Sequence, residues 1–205
     1  NLLRGAGELA SVEGEGGIDS DKVVAMWDLY NGCKKRVVEL EKMDPRPPSF
    51  VLAESYVRGI NDYYKKNPKA APAWWGDRQV DVAMVMSFGR IFLQSWSFDD
   101  GFEDVKRGGV EPGTFRMSRG SNQWVVAPSR SAENVPILYI DPHLGWLGVT
   151  RFWEFRIHAG NLNGSGFSLP GQLFVGLGHN DNAAWAMTTG GPDTADVYEE
   201  TLKED

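Results

Sequence analysis

The chain changes its periodicity at Ser121. Before about residue 97, apolar residues recur at helical spacing; after Ser121, short apolar runs are set off by clusters of Gly, Pro, Asn and Asp, the pattern of strands and turns. Helices gathered first and strands gathered later specify an α+β architecture, not an alternating parallel sheet. With 205 residues, 41% of them apolar and including 8 Trp and 10 Phe, the chain has enough material for a buried core. A formal net charge of −7 argues against a nucleic-acid partner and leaves no polybasic patch for a membrane surface. No apolar run approaches the ~18 residues of a bilayer span. Cys33 is the single cysteine, so no intrachain disulfide is available.

Residues 1–19 carry Gly5, Gly7, Gly14, Gly16 and Gly17 and read as a short helix end followed by a loop. A helix is expected from Ser20, capped by Asp19 or Ser20, with Val23, Val24, Trp27, Tyr30, Val37 and Val38 near a 3.6 period. Pro45, Pro47 and Pro48 end it and open the next. That second helix runs from Phe50 to Tyr64, with Val51, Tyr56, Ile60 and Tyr64 broadly on one face, and a turn-rich link follows from Pro68 to Gly76. A third helix, Val80 to Trp96, is apolar nearly all round and therefore buried.

Residues 97–120 read as an exposed acidic, glycine-containing connector, a natural place for chain cleavage. The expected division is a helical segment 1–97, a spacer 98–120 and a β-rich segment 121–205. Expected strands are Trp124–Pro128, Ile137–Ile140, Trp153–His158, Leu173–Leu177, Ala183–Thr188 and Ala195–Thr201.

Ser121 sits where the polar stretch Arg119-Gly120-Ser121-Asn122 becomes apolar. A serine hydroxyl needs a base beside it before it is a useful nucleophile. Two sources are open: a histidine from elsewhere, or the α-amine of Ser121 itself once the Gly120–Ser121 bond is cut. Alone, Gly-Ser reads as a loop entering a strand.

Four motifs follow in order: Ser121-Asn122-x-Trp124; Asp141-Pro142-His143-Leu144; Gly178-His179-Asn180 with Ala184-Trp185; and Asp193-x-x-Asp196. Together they resemble the opening of the β subunit of the penicillin acylases, N-terminal-nucleophile hydrolases that include the acyl-homoserine-lactone and cephalosporin acylases. Glu54-Ser55-Tyr56-Val57-Arg58-Gly59-Ile60-Asn61 is similar to a helix of that family's α subunit. The resemblance implies part of a four-layer αββα sandwich, in a chain shorter than the family's full length. It also implies a periplasmic or secreted setting, although no signal segment is visible at Asn1-Leu2-Leu3-Arg4.

By that resemblance the precursor cleaves itself at Gly120–Ser121, a bond for which a glycine backbone free of a Cβ is suited. The freed α-amine, with an ordinary pKa of about 7.7–8.0, then serves as base for Ser121 Oγ in hydrolysis of an amide through an acyl-enzyme. The resemblance makes the backbone N–H of Thr189 one oxyanion donor and places the second, an asparagine, beyond Asp205. A hole lacking one donor is expected to lose about 10²–10³ in rate. His143 is implied to orient the amine or a bridging water, although a loop histidine after Pro142 is the plainer alternative. Asn122 either helps hold the amine or simply begins the strand. His179 reads as turn structure and His158 as a strand residue.

Matching positions for the acyl pocket are Pro142, Leu144, Leu177, Met187 and Thr188, with Ile91 and Phe92 from the third helix. Leu144 and Leu177 stand where the penicillin G type has aromatic residues, so aliphatic or bulkier acyl groups are expected. No cofactor is required for this chemistry. The loop Asp193, Ala195 (by its carbonyl) and Asp196 matches a calcium site of some relatives, with Asp99, Asp100 or Glu103 as a further ligand; a solvated acidic loop is the alternative reading. The expected partners are an N-acylated small molecule and the chain's own processed subunits. Two rival readings stay open: a catalytically silent relative that keeps the fold, and a conventional Ser-His-Asp hydrolase, for which no Gly-x-Ser-x-Gly elbow surrounds Ser121.

Overall fold

The computed structural model describes residues 1–109, 120–190 and 193–202, the side chains of Trp96 and Asp99 excepted. Residues 110–119 of the expected spacer lie outside that range. The chain is α+β, helical in its first half and built of sheets in its second. It divides into two compact units, Asn1–Phe92 with Gly171–Leu173, and Leu93–Pro170 with Phe174–Asp205. No described helix is long and apolar enough to cross a membrane.

The first unit holds α1 (Leu2–Ala6), α2 (Ala10–Glu13), α3 (Glu15–Met26), α4 (Leu29–Glu41), α5 (Pro48–Lys66) and the start of α6 (Val82–Arg107). Residues 15–19, expected in a loop, are the first turn and a half of α3. Gly17 is there for close approach: a Cβ on it would lie 2.4 Å from the Ala10 nitrogen. Asp19 and Ser20 fall inside α3 and do not cap it. The neighbouring Asp21 carboxylate instead accepts the N–H groups of Leu9 and Ala10, both at 2.8 Å, which secures the start of α2.

One helix was expected through residue 38, but Asp28 adopts a left-handed φ of 46° and divides it into α3 and α4. Aspartate is among the few side chains that tolerate this region. The break rotates the buried face: Val24, Leu29 and Cys33 go inside, while Trp27 and Val38 are exposed.

Pro48 opens α5, as the proline cluster implies. Phe50, Ala53 and Val57, at helical spacing, enter a core with Trp75, Val80, Val82, Met84 and Val85. Tyr56, Ile60 and Tyr64 pack on its margin, whereas Val51 is exposed. Asp81 caps α6 by accepting the Met84 N–H at 2.8 Å, and its other oxygen accepts the Tyr30 hydroxyl at 2.5 Å. Asn61 clamps the preceding residue, taking the Val80 N–H at 2.9 Å and donating to its carbonyl at 2.8 Å. Phe88 on α6 is fully buried, a contribution of about 1.5–3 kcal/mol by area removed from water.

In the second unit, α6 continues to Arg107, so residues 98–107 are helix and not connector. Acidic residues belong comfortably to the solvated side of a helix, and Arg107 closes its last turn with Asp104 at 3.1 Å, a cation at the negative end of the dipole. Among the described residues six strands follow: β1 (Ser121–Val126), β2 (Ile137–Pro142), β3 (Trp153–Ala159), β4 (Leu162–Ser168), β5 (Leu177–Asn180) and β6 (Ala184–Trp185). β1 and β2 form an antiparallel pair; β3-β4-β5-β6 form an antiparallel meander.

Strand β4 was not anticipated, because Leu162-Asn163-Gly164-Ser165-Gly166 reads as a turn. Its glycines serve the sheet: Gly166 pairs with Gly178, and a Cβ on either would lie 2.1 Å from a carbonyl of the facing strand. The expected strand Leu173–Leu177 gives way to β5, which begins at Leu177, and Ala183–Thr188 contracts to Ala184–Trp185. Asn180 sets that hairpin by accepting the N–H groups of Asn182 and Ala183, both at 2.8 Å. Ala195–Thr201 forms no strand; the N–H of Ala195 goes to the Asp100 carboxylate at 2.9 Å instead of to a sheet neighbour.

Candidate active site

The β1–β2 register assembles the site. Ser121 pairs with Pro142, Asn122 with Asp141 and Trp124 with Tyr139, whose rings stack at 3.9 Å between centroids. Side chains two apart on a strand share a face, and residues directly opposite on the neighbouring strand share it too. Asp141, His143 and Asn122 therefore meet: His143 Nε2 lies 3.0 Å from Asp141 Oδ2 and 3.3 Å from Asn122 Nδ2. An ionised carboxylate only accepts and an amide NH2 only donates, so the Asp141 contact is a hydrogen bond when Nε2 carries the proton and the Asn122 contact when it does not; the other ring nitrogen is Nδ1. That nitrogen is turned toward the junction, 3.7 Å from where a Cβ on Gly120 would stand.

Immediately beyond the strand pair, the His143 N–H donates to the Gly120 carbonyl at 2.8 Å. The Ser121 hydroxyl donates to that carbonyl oxygen at 2.5 Å. The one carbonyl that cleavage before Ser121 would attack thus already faces the serine hydroxyl and a fixed backbone donor. Thr188 Oγ1 donates to the Ser121 carbonyl at 2.8 Å, which ties the segment bearing Thr189 to the start of β1.

Gly120 departs from the sequence expectation. A Cβ there would find only ordinary contacts with His143 at 3.7 and 3.9 Å.

The remaining positions divide. Ser121, Asn122 and His143 converge, with Thr188 bonded to Ser121; Thr189 is exposed next to it. Leu177 is buried, Leu144 and Pro142 half-buried and Met187 exposed. Ile91 and Phe92 are half-buried residues of α6 and belong to the first unit. His179 lies exposed on β5, and His158 exposed on β3, at the edge of the four-stranded sheet. Asp141 joins the cluster without a role expected from the sequence; its i, i+2 spacing from His143 at the end of β2 is the signal for it.

The acidic loop is organised by Asp100, whose Oδ2 accepts the N–H groups of Thr194 at 2.5 Å and Ala195 at 2.9 Å. These backbone bonds hold the Asp100 carboxyl below its usual range. The negative charge of Asp100, then that of Asp196, pushes the neighbouring Asp193 carboxyl up. All-oxygen donors of this kind suit a hard cation. Even so, no three or more acidic, His or Cys side chains among the described residues converge on one metal position.

A family model for penicillin amidase matches residues 1–205. The chain belongs to the penicillin amidase family. Among its relatives, the acyl-homoserine lactone acylase PvdQ of Pseudomonas putida is 37% identical over 75 residues, covering 36% of this chain and 10% of that protein. The acyl-homoserine lactone acylase QuiP of Pseudomonas fluorescens is 23% identical across 98% of this chain and 31% of its own length. The penicillin G acylase of Escherichia coli is 29% identical over 85 residues, 40% of this chain and 10% of that enzyme. The chain thus spans less than a third of these three family members.

Proposed function

We propose that the protein to which this chain belongs is an N-acyl amide hydrolase that cleaves itself between Gly120 and Ser121 and works with Ser121 as an N-terminal nucleophile. The observation that supports this reading best is the Gly120 carbonyl, met by the Ser121 hydroxyl at 2.5 Å and by the His143 N–H at 2.8 Å. After cleavage the Ser121 α-amine takes the hydroxyl proton, Oγ attacks the substrate carbonyl, and the proton passes to the departing amine. Water then attacks the acyl-serine ester, releases the carboxylic acid and restores the hydroxyl.

In this reading the Thr189 N–H donates to the tetrahedral oxyanion, and the Thr188 bond to Ser121 keeps that donor beside the nucleophile. Asn122 and His143 steady the freed amine. The substrate is an N-acylated small molecule, a β-lactam, an acyl-homoserine lactone or a similar amide, in line with the names of the relatives. Leu144, Leu177 and Met187 line an acyl pocket that favours aliphatic chains. The strands belong to an αββα sandwich completed by the processed subunits of the protein, in a periplasmic or secreted setting. Asp193, Asp196 and the Ala195 carbonyl hold a structural Ca²⁺, with Asp100 shaping the loop; the ion takes no part in the chemistry.

Hydrolysis of octanoyl, decanoyl and phenylacetyl amides by the full-length protein tests this. Acid release, faster from the aliphatic amides and absent in Ser121→Ala, supports the reading. Undiminished hydrolysis by Ser121→Ala contradicts it.

A further inference from the structure

We infer that Thr188 is a positioning residue of the processed enzyme: its hydroxyl, bonded to the Ser121 carbonyl, anchors the new chain end once Gly120 is cut away. The inference rests on the self-cleaving reading and concerns what the cut removes. Before cleavage Ser121 lies inside a continuous chain. The Gly120 carbonyl accepts the His143 N–H at 2.8 Å, and that bond holds the backbone on the upstream side of the serine. Cleavage turns Ser121 into a terminus, and termini fray unless something ties them down.

The strand register shows why β2 does not do so. Opposite residues of an antiparallel pair alternate between those that exchange backbone hydrogen bonds and those that do not. Gly120 and His143 are bonded, so the next pair, Ser121 with Pro142, is of the second kind. Pro142 has no N–H to give in any case. The Ser121 carbonyl is therefore left to the edge of β1 that faces away from β2. There Thr188 Oγ1 donates to it at 2.8 Å, from a segment 67 residues further along the chain. In the uncut chain this bond and the Gly120–His143 bond hold the serine from both sides. In the processed chain Ser121 stands one residue beyond the first bonded pair, Asn122 with Asp141, and Thr188 is what holds its peptide plane.

The full-length protein carries the test, with self-cleavage followed by intact mass and hydrolysis of octanoyl and phenylacetyl amides followed by acid release. Thr188→Val keeps the branched shape and removes the hydroxyl. It self-cleaves within about threefold of the wild-type rate. Its kcat falls about tenfold or more on both amides at nearly unchanged KM, the mark of a misplaced nucleophile. Thr188→Ser restores most of kcat. Wild-type kcat in Thr188→Val overturns the inference. A loss confined to KM or to one acyl group does the same, because it makes Thr188 a wall of the pocket. So does a loss that Thr188→Ser fails to restore, or a slowing of self-cleavage as severe as the fall in kcat. A wild-type chain that stays uncut overturns the self-cleaving reading beneath it as well.

Discussion

The Gly120 carbonyl oxygen accepts the backbone N–H of His143 at 2.8 Å, one residue past the β1–β2 pairing. This contact follows from strand register. Once Trp124 stacks on Tyr139, Ser121 must face Pro142, and the next N–H along falls on the carbonyl before the serine. A one-residue slip would turn Asn122, Asp141 and His143 to the other face and dismantle the cluster.

Gly120→Ala should therefore be tolerated. A Cβ at 120 meets His143 at no closer than 3.7 Å, so the variant is expected to self-cleave within about threefold of the wild-type rate. Gly120→Val adds branching toward the His143 ring and should be slower. Timed intact-mass measurements check both, and complete loss of cleavage in the alanine variant would show that glycine is needed after all.

Tyr30 and Asp81 give a pH signature in the fold. Burial, and then the hydrogen bond to Asp81, pushes the Tyr30 phenol well above its usual range. The folded chain keeps a proton that the unfolded chain loses, so this contribution is whole below about pH 10 and declines as pH rises further. Tyr30→Phe should cost about 1 kcal/mol near neutrality and flatten that alkaline decline. Denaturant melts across the alkaline range measure both effects; an unchanged slope in the variant would contradict the assignment.

The acidic loop makes a prediction for added cation. Because Asp100 and Asp196 push the Asp193 carboxyl up, a divalent ion should relieve the like-charge crowding. Calcium at millimolar levels is expected to raise the melting temperature of the full-length protein, with the gain removed by chelation or by Asp193→Asn. The gain should shrink on acidification, as protons compete for the raised carboxyl. No thermal response to calcium would leave the loop as a solvated acidic turn.

Much of this was readable from the residues, and the failures share a cause. Pro48, the Phe50–Val57 spacing and the apolar start of α6 announced their helices, since capping and burial pattern there agree. Gly17, Gly166 and Gly178 misled, because glycine marks a turn and a close backbone approach with the same letter. Asp100, Glu103 and Asp104 suggested a connector because charge runs are common in loops, yet α6 continues through them. At the site, Ser121 and His143 stood out by motif. Asp141 did not, because its partnership with His143 depends on where β2 ends and on the register that sets Asn122 opposite Asp141.

The most direct test is denaturing intact mass with N-terminal sequencing on the full-length parent beside Ser121→Ala. The account predicts a wild-type chain beginning Ser-Asn-Gln-Trp that is absent from the variant. An uncut wild-type chain, or the same cut in Ser121→Ala, would contradict it.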